Sequence, residues 1–327
     1  MEDKKVKIVF IGTPEFGAII LEKLIKSGHK PFLVITGQDK PVGRKQILTP
    51  SPVKVLVENY NIPVVQPEKL KDWKKEIRKI KPALIIVAAY GHIIPKEILE
   101  IPTYGCINVH PSLLPKYRGP SPIQYAILNG DEKTGVTIMR MTEKFDVGPV
   151  LANSEWQIAN KKITYKELEE KLAEIGAELL IQTLPKLFAG TISQQPQDDS
   201  KATYTKILTK DDGKIDWQKS AKEIERQIRA LNPWPGTFTT FKVKSQKSKV
   251  KITIQNLKLL KILKTDVIVC SKKRKIGEVF LTEKGKLVVQ CGKDCLIIEK
   301  LQLEGGKPLQ SQDFLRGHRD FIGVILQ

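Results

Sequence analysis

Asn108 and His110 stand two residues apart in "INVHPSLLPKYRGPSPIQ" (residues 107–124), braced by prolines at 111, 115, 120 and 122. On an extended strand that spacing turns both side chains to one side. An amide beside an imidazole can polarise a carbonyl and move a proton, the two tasks of acyl transfer. A histidine base works better next to a carboxylate that orients the ring and supports its charged form. Asp146, in "MTEKFDVGPV", is the candidate, in a loop that a neighbouring strand could carry to the same sheet edge. Shaping the turn before Gly148-Pro149 is an equally open role for it. His29, His92 and His318 lack such a setting and read as packing or surface residues. Neither G-x-S-x-G nor H-E-x-x-H occurs. Acyl transfer here would therefore proceed by direct attack of a substrate amine, with no covalent enzyme intermediate and no metal.

The elements that must position these residues follow from the apolar pattern. Runs at 6–11, 32–35, 84–89, 107–109 and 135–141 read as strands, and 18–25, 52–59, 70–80 and 164–188 as helices. Strands alternating with helices predict a Rossmann-like parallel sheet, α/β in class, whose ligands bind beyond the C-terminal strand ends. His110 falls at such an end. "GTPEFG" (residues 12–17) lacks the middle glycine of a dinucleotide fingerprint and places Pro14 where backbone should meet pyrophosphate. It reads instead as a tight strand-to-helix turn.

The chain has 327 residues, 41% hydrophobic and 28% charged, enough for two globular domains. No apolar run approaches the ~20 residues needed to span a bilayer. The first residues mix acids with lysines and carry no signal-peptide core, so a cytoplasmic protein is expected. Cys106, Cys270, Cys291 and Cys295 form no CxxC, and they read as small apolar residues in a reducing compartment, not as a disulfide framework or zinc site.

The helical pattern at 164–188 closes a first domain, residues 1–189. The polar stretch 190–208 suits a linker. Residues 209–327 hold a helix at 221–231 and short strand-like runs at 237–243, 250–260, 277–281, 286–290 and 295–303. That spacing predicts a smaller OB-like β-barrel. The formal net charge is +19, and in the span 242–275 lysines and one arginine crowd around a single acid, Asp266. A barrel with a basic face is a common way to hold nucleic acid. Lys247 and Lys249 are candidate phosphate contacts within it.

These residues resemble the folate-dependent formyltransferases: Asn108, His110 and Asp146 match that superfamily's catalytic triplet. Three further segments resemble the branch that formylates methionyl initiator tRNA: "VFIGTPEFG" at the start, the basic loop "TGQDKPVGRKQILTPSPVK" (residues 36–54) and "DDGKIDWQKSAKEIERQIRALNPWPGTF" (residues 211–238). The resemblance implies 10-formyltetrahydrofolate as co-substrate, held along Ser112, Leu113, Leu114 and Pro115 and by Ala89, Tyr90, Gly91 and Ile93. It implies that Lys40, Arg44 and Lys45 face the acceptor end of the tRNA. It also implies a tRNA-binding C-terminal domain, no metal and no membrane, and the chain is expected to act as a monomer. The sequence departs from the pattern around Asp146, where Lys144-Phe145 stands for Gly-Leu and Val147 for Thr. It departs again at Lys116-Tyr117, where the signature more often has Arg-Trp. Another folate-dependent formyltransferase or hydrolase, or a non-catalytic RNA-binding protein, are the alternatives.

Overall fold

The computed structural model describes residues 6–43, 45–242, 257–270, 272 and 274–327. The chain forms two compact units. Residues 1–123, 132–159 and 166–207 make the first, and residues 124–131, 160–165 and 208–327 the second.

The first unit is built on a seven-stranded sheet. In chain order its strands are β1 (Ile8–Gly12), β2 (Leu33–Ile35), β5 (Val64–Val65), β6 (Leu84–Ala88), β7 (Cys106–His110), β8 (Lys133–Arg140) and β9 (Val150–Gln157). A separate hairpin, β3 (Lys40–Val42) with β4 (Ile47–Thr49), projects between β2 and helix α2 (Pro52–Asn59). The sheet order is β5-β2-β1-β6-β7-β8-β9. The first five strands of that order are parallel, whereas β8 and β9 are antiparallel to their neighbours. "IVFIG" and "LIIVA" are buried at every residue, as central strands covered on both faces must be. Edge strand β9 alternates half-buried and exposed residues beyond Leu151.

Helices α1 (Glu15–Lys26), α2, α3 (Lys74–Ile80), α4 (Lys96–Leu99) and α6 (Tyr165–Phe188) complete this unit, while α5 (Pro122–Asn129) falls mostly in the second. The glycines of "GTPEFG" serve packing. A Cβ on Gly12 would lie 2.7 Å from the Ala88 carbonyl, and one on Gly17 2.9 Å from it. The turn thus lets α1 sit against the end of β6. Ser51 caps α2 by accepting from Lys54 N at 3.1 Å, with Pro52 at the first helical position. Gly176 does for α6 what Gly17 does for α1: a Cβ there would lie 2.9 Å from Val109 of β7.

The second unit is antiparallel. Its strands β10 (Thr237–Lys242), β11 (Leu257–Ile268), β14 (Cys295–Leu303), β13 (Leu287–Gln290) and β12 (Val279–Leu281) pair in that order, with β15 (Leu309–Gln310) on β14. Residues 325–327 close the ring, bridging Phe241 through Leu326 and Glu278 through Ile325. Helix α7 (Ala221–Leu231) starts at a capping box, Ser220 with Glu223, and supplies Ile224 and Ile228 to the barrel core. Helix α8 (Ser311–Gly317) adds Phe314 to the same core. The expected strand at 250–260 falls partly outside the described residues, which omit 250–256; from Leu257 on it is strand, and β11 continues to Ile268.

The cysteines correct the sequence reading. Antiparallel pairing sets Ile268 opposite Cys295, so Cys270 comes alongside it. The two form a disulfide with Cα atoms 5.9 Å apart. Local spacing could not disclose a bond made across a strand pair. Cys106 and Cys291 are free and buried, and burial pushes both thiols up to about 12. Among the described residues no helix is long and apolar enough to cross a membrane.

Candidate active site

Register decides what the strand end presents. Asn108 pairs with Val87 on one side and Met139 on the other, and His110 pairs with Thr137. With Val109 turned toward α6, Asn108 and His110 occupy the opposite face of the sheet. Asn108 is half-buried, and its amide has no partner among the described residues. His110 is 4% exposed. Its Nε2 lies 3.0 Å from the Tyr117 carbonyl, which can only accept, so Nε2 carries the hydrogen. Nδ1 is left facing Asp146 Oδ1 at 3.7 Å, beyond hydrogen-bond length.

The loop after β7 is tied down along its length. Ser112 Oγ donates to the Lys116 carbonyl at 2.5 Å. Thr137 Oγ1 donates to the Ser112 carbonyl at 2.7 Å and accepts from Leu114 N at 3.1 Å. Gly119 N donates to Asp146 Oδ2 at 2.8 Å. Gly119 itself has a φ of +110°, and a Cβ there would meet the Thr205 carbonyl at 2.6 Å. Only glycine suits this position.

Asp146 arrives by a different route from the one sequence suggests. Because β8 runs antiparallel to β7, Arg140 pairs with Ile107 while His110 pairs with Thr137. The chain leaves β8 three residues away from His110, about 10 Å at strand rise. The loop therefore folds back over the sheet face, and is not carried to the His110 edge by its strand. Two backbone features permit the return: Asp146 adopts a φ of +52°, and a Cβ on Gly148 would run into the Arg140 carbonyl.

Several partners of this loop escaped sequence reasoning. Gln197 Nε2 donates to the carbonyls of Asp146 and Gly148 at 2.8 and 2.7 Å. Arg118, 2% exposed, donates to Gln197 Oε1 from Nε and Nη2 at 3.0 and 2.9 Å and to Asp199 Oδ1 at 2.6 Å. Burial opposes the charged guanidinium, yet its bonds to Asp199 and Tyr204 hold its pKa above the ordinary arginine value. Residues 203–205 run beside 115–118: Arg118 N donates to the Thr203 carbonyl at 2.9 Å and Thr205 N to the Arg118 carbonyl at 2.8 Å. The polar stretch 190–208 thus lies along the site's loops, and its composition gave no sign of that.

The remaining sequence candidates divide. Leu114 packs with Met139 and Val150, and Ser112 is 1% exposed. The Tyr90 ring belongs to the sheet core, where burial raises its phenol pKa, so its side chain is not a free ligand surface. Ala89 and Gly91 take left-handed conformations, with φ of +50° and +77°, and Ile93 is 62% exposed. Among the described residues the backbone amides of 91–93 have no partner. Lys40 and Lys45 are exposed on the β3–β4 hairpin. Arg44, Lys247 and Lys249 lie outside the described residues. No group of three or more His, Cys, Asp or Glu among the described residues is arranged to hold a metal ion.

Residues 5–184 match the formyl transferase family, and residues 207–319 the formyl transferase C-terminal domain. The chain is 40% identical over 323 residues to the methionyl-tRNA formyltransferase of Geobacter metallireducens, covering 98% of each. To that of Lachnospira eligens it is 42% identical over 328 residues, covering 98% of this chain and 99% of the other. The chain belongs to the methionyl-tRNA formyltransferase family. Solved structures share the fold at lower identity. An N-formyltransferase from Helicobacter canadensis, in complex with folinic acid and dTDP-3-aminofucose, has a TM-score of 0.61 at 19% identity, covering 90% of this chain and 98% of that one. HypX from Aquifex aeolicus, in complex with tetrahydrofolic acid, has a TM-score of 0.61 at 18% identity, covering 96% of this chain and 47% of HypX.

Proposed function

We propose that the protein transfers the formyl group of 10-formyltetrahydrofolate to the α-amine of methionine esterified to initiator tRNA, giving formylmethionyl-tRNA. The observation that carries the reading is the juxtaposition of Asn108, His110 and Asp146 in a chain about 40% identical, end to end, to enzymes of that name. The amine nitrogen attacks the formyl carbon and the carbon–N10 bond breaks, so tetrahydrofolate leaves with N10 taking up the proton that the amine gives to His110. The amine's proton passes to His110 Nδ1, the ring atom not engaged by Tyr117, and Asp146 Oδ1 faces it there. Asn108 donates to the formyl oxygen as it gains negative charge.

The folate would lie between residues 112–115 and 89–93. Its flat, hydrogen-bonding pterin suits free amides at 91–93 beside exposed Ile93. HypX and the Helicobacter canadensis enzyme hold folates on this fold. Catalysis is assigned to residues 1–189 together with the stretch 190–207 that lies along the site's loops, and tRNA binding to the half at 209–327. Lys40, Arg44 and Lys45 would meet the acceptor stem, and Lys247 and Lys249 its phosphates. The protein would act as a monomer, in the cytoplasm where translation starts. Incubation with 10-formyltetrahydrofolate and methionyl initiator tRNA should yield formylmethionyl-tRNA. Absence of product from folded protein, or folate turnover indifferent to added tRNA, would overturn the reading.

A further inference from the structure

No strand end positions the loop that bears Asp146. It leaves β8 at the far end of β7 and must be brought back to His110 over about 10 Å. At the point of return its backbone is left-handed at Asp146, a conformation costly for a non-glycine residue unless its surroundings fix it. What meets the backbone there is one side chain from another part of the chain: Gln197, whose Nε2 bonds the carbonyls of Asp146 and Gly148 at 2.8 and 2.7 Å. The amide cannot turn over, because Arg118 donates twice to its Oε1. Arg118 is anchored in turn by Asp199 and by Tyr204, whose Oη lies 3.4 Å from Nη1.

We infer that Gln197 is a positioning residue for the reaction: clamped by Arg118, it holds the Asp146 loop so that the carboxylate faces His110. The inference rests on the proposed role of Asp146 as the partner of His110. Gln197 touches no reacting atom and acts only through Asp146. It therefore belongs with the transfer step, although it sits in a stretch whose composition suggests a spacer.

Gln197→Glu tests this. It keeps the length and an oxygen for Arg118, but sets an acceptor against two carbonyls. Gln197→Met, of similar length and uncharged, removes both bonds without adding a carboxylate. Each should lower kcat about 10- to 100-fold while KM for folate and for tRNA stays within about 3-fold of wild type. In an Asp146→Asn background either change should cost no more than about 2-fold further, because its effect is already spent. Thermal melting of every variant establishes that folded protein is compared. Near-wild-type kcat in both Gln197 variants, with Asp146→Asn impaired, overturns the inference and leaves the catalytic reading standing. Full additivity in the double variants overturns it too. Wild-type turnover by Asp146→Asn overturns the reading beneath it as well.

Discussion

Two loops of the first unit are built on opposite terms. The 112–119 loop after β7 buries Ser112 and Arg118 to 1% and 2% exposure and ties its carbonyls and amides to Thr137, Thr203 and Thr205. The β3–β4 hairpin exposes every residue of both strands, including Val42, Ile47 and Leu48 at 56%, 61% and 67%. Its turn is held by Gln46, which donates to the Gly43 carbonyl through both its backbone and its side chain. At its root Asp39 accepts from Lys54 Nζ and Gln66 Nε2, each at 2.7 Å. Proton transfer needs groups fixed before the substrate arrives, since misplacement by an ångström is costly. A recognition arm needs a fixed root and a free tip, because its partner supplies the remaining contacts.

The largest effect should come from the fixed loop's strand. Asn108→Ala should lower kcat about 10²- to 10³-fold, with folate binding retained in calorimetry. A change confined to KM would move Asn108 from chemistry to recognition and erase the contrast. Next in size, Lys40→Ala with Lys45→Ala should raise KM for methionyl-tRNA about 10-fold and reduce the salt slope of tRNA binding by about one for each phosphate no longer neutralised. A fall in kcat at unchanged KM would place the hairpin in the chemistry instead.

The smallest effect concerns the hairpin's root. Hydrogen bonds from Lys54, then Gln66, hold the Asp39 carboxyl below its ordinary value. A group depressed in the folded chain contributes above its ordinary pKa, and the contribution is lost as pH falls through the lower folded value. The root is therefore intact at neutral pH. Asp39→Asn should weaken tRNA binding about 2-fold at pH 7, and the gap from wild type should close only below about pH 4. Closure between pH 6 and 7 would show that something other than Asp39 roots the arm.

The sequence disclosed much of this, and physical reasons separate what it disclosed from what it did not. Strands β1, β6 and β7 were legible because buried strands are continuous apolar runs, and α7 because its apolar residues recur at helical period. Edge strand β9, "VLANSEWQ", hides among polar residues because one of its faces meets solvent. The Asn108–His110 pair follows from a two-residue spacing, which is local. The path of Asp146 depends on the direction of β8, and apolar patterning is blind to direction. Gln197 is harder still, since one amide in a polar stretch resembles its neighbours until Arg118 and two carbonyls surround it. The Cys270–Cys295 bond is likewise a product of register between distant strands.

The exposed hairpin also bears on the protein's behaviour as a colloid. Val42, Ile47 and Leu48 make a short apolar ribbon with open edges, the kind of surface on which copies of a chain stick together. Lys40 and Lys45 stand on that ribbon as gatekeepers, and the chain's net charge of +19 keeps copies apart while counter-ions are scarce. Salt that loosens the grip on RNA also screens this repulsion. Unloaded protein is thus most prone to self-association in concentrated salt, and a tRNA bound at the hairpin as proposed would cover the ribbon and act as its solubiliser.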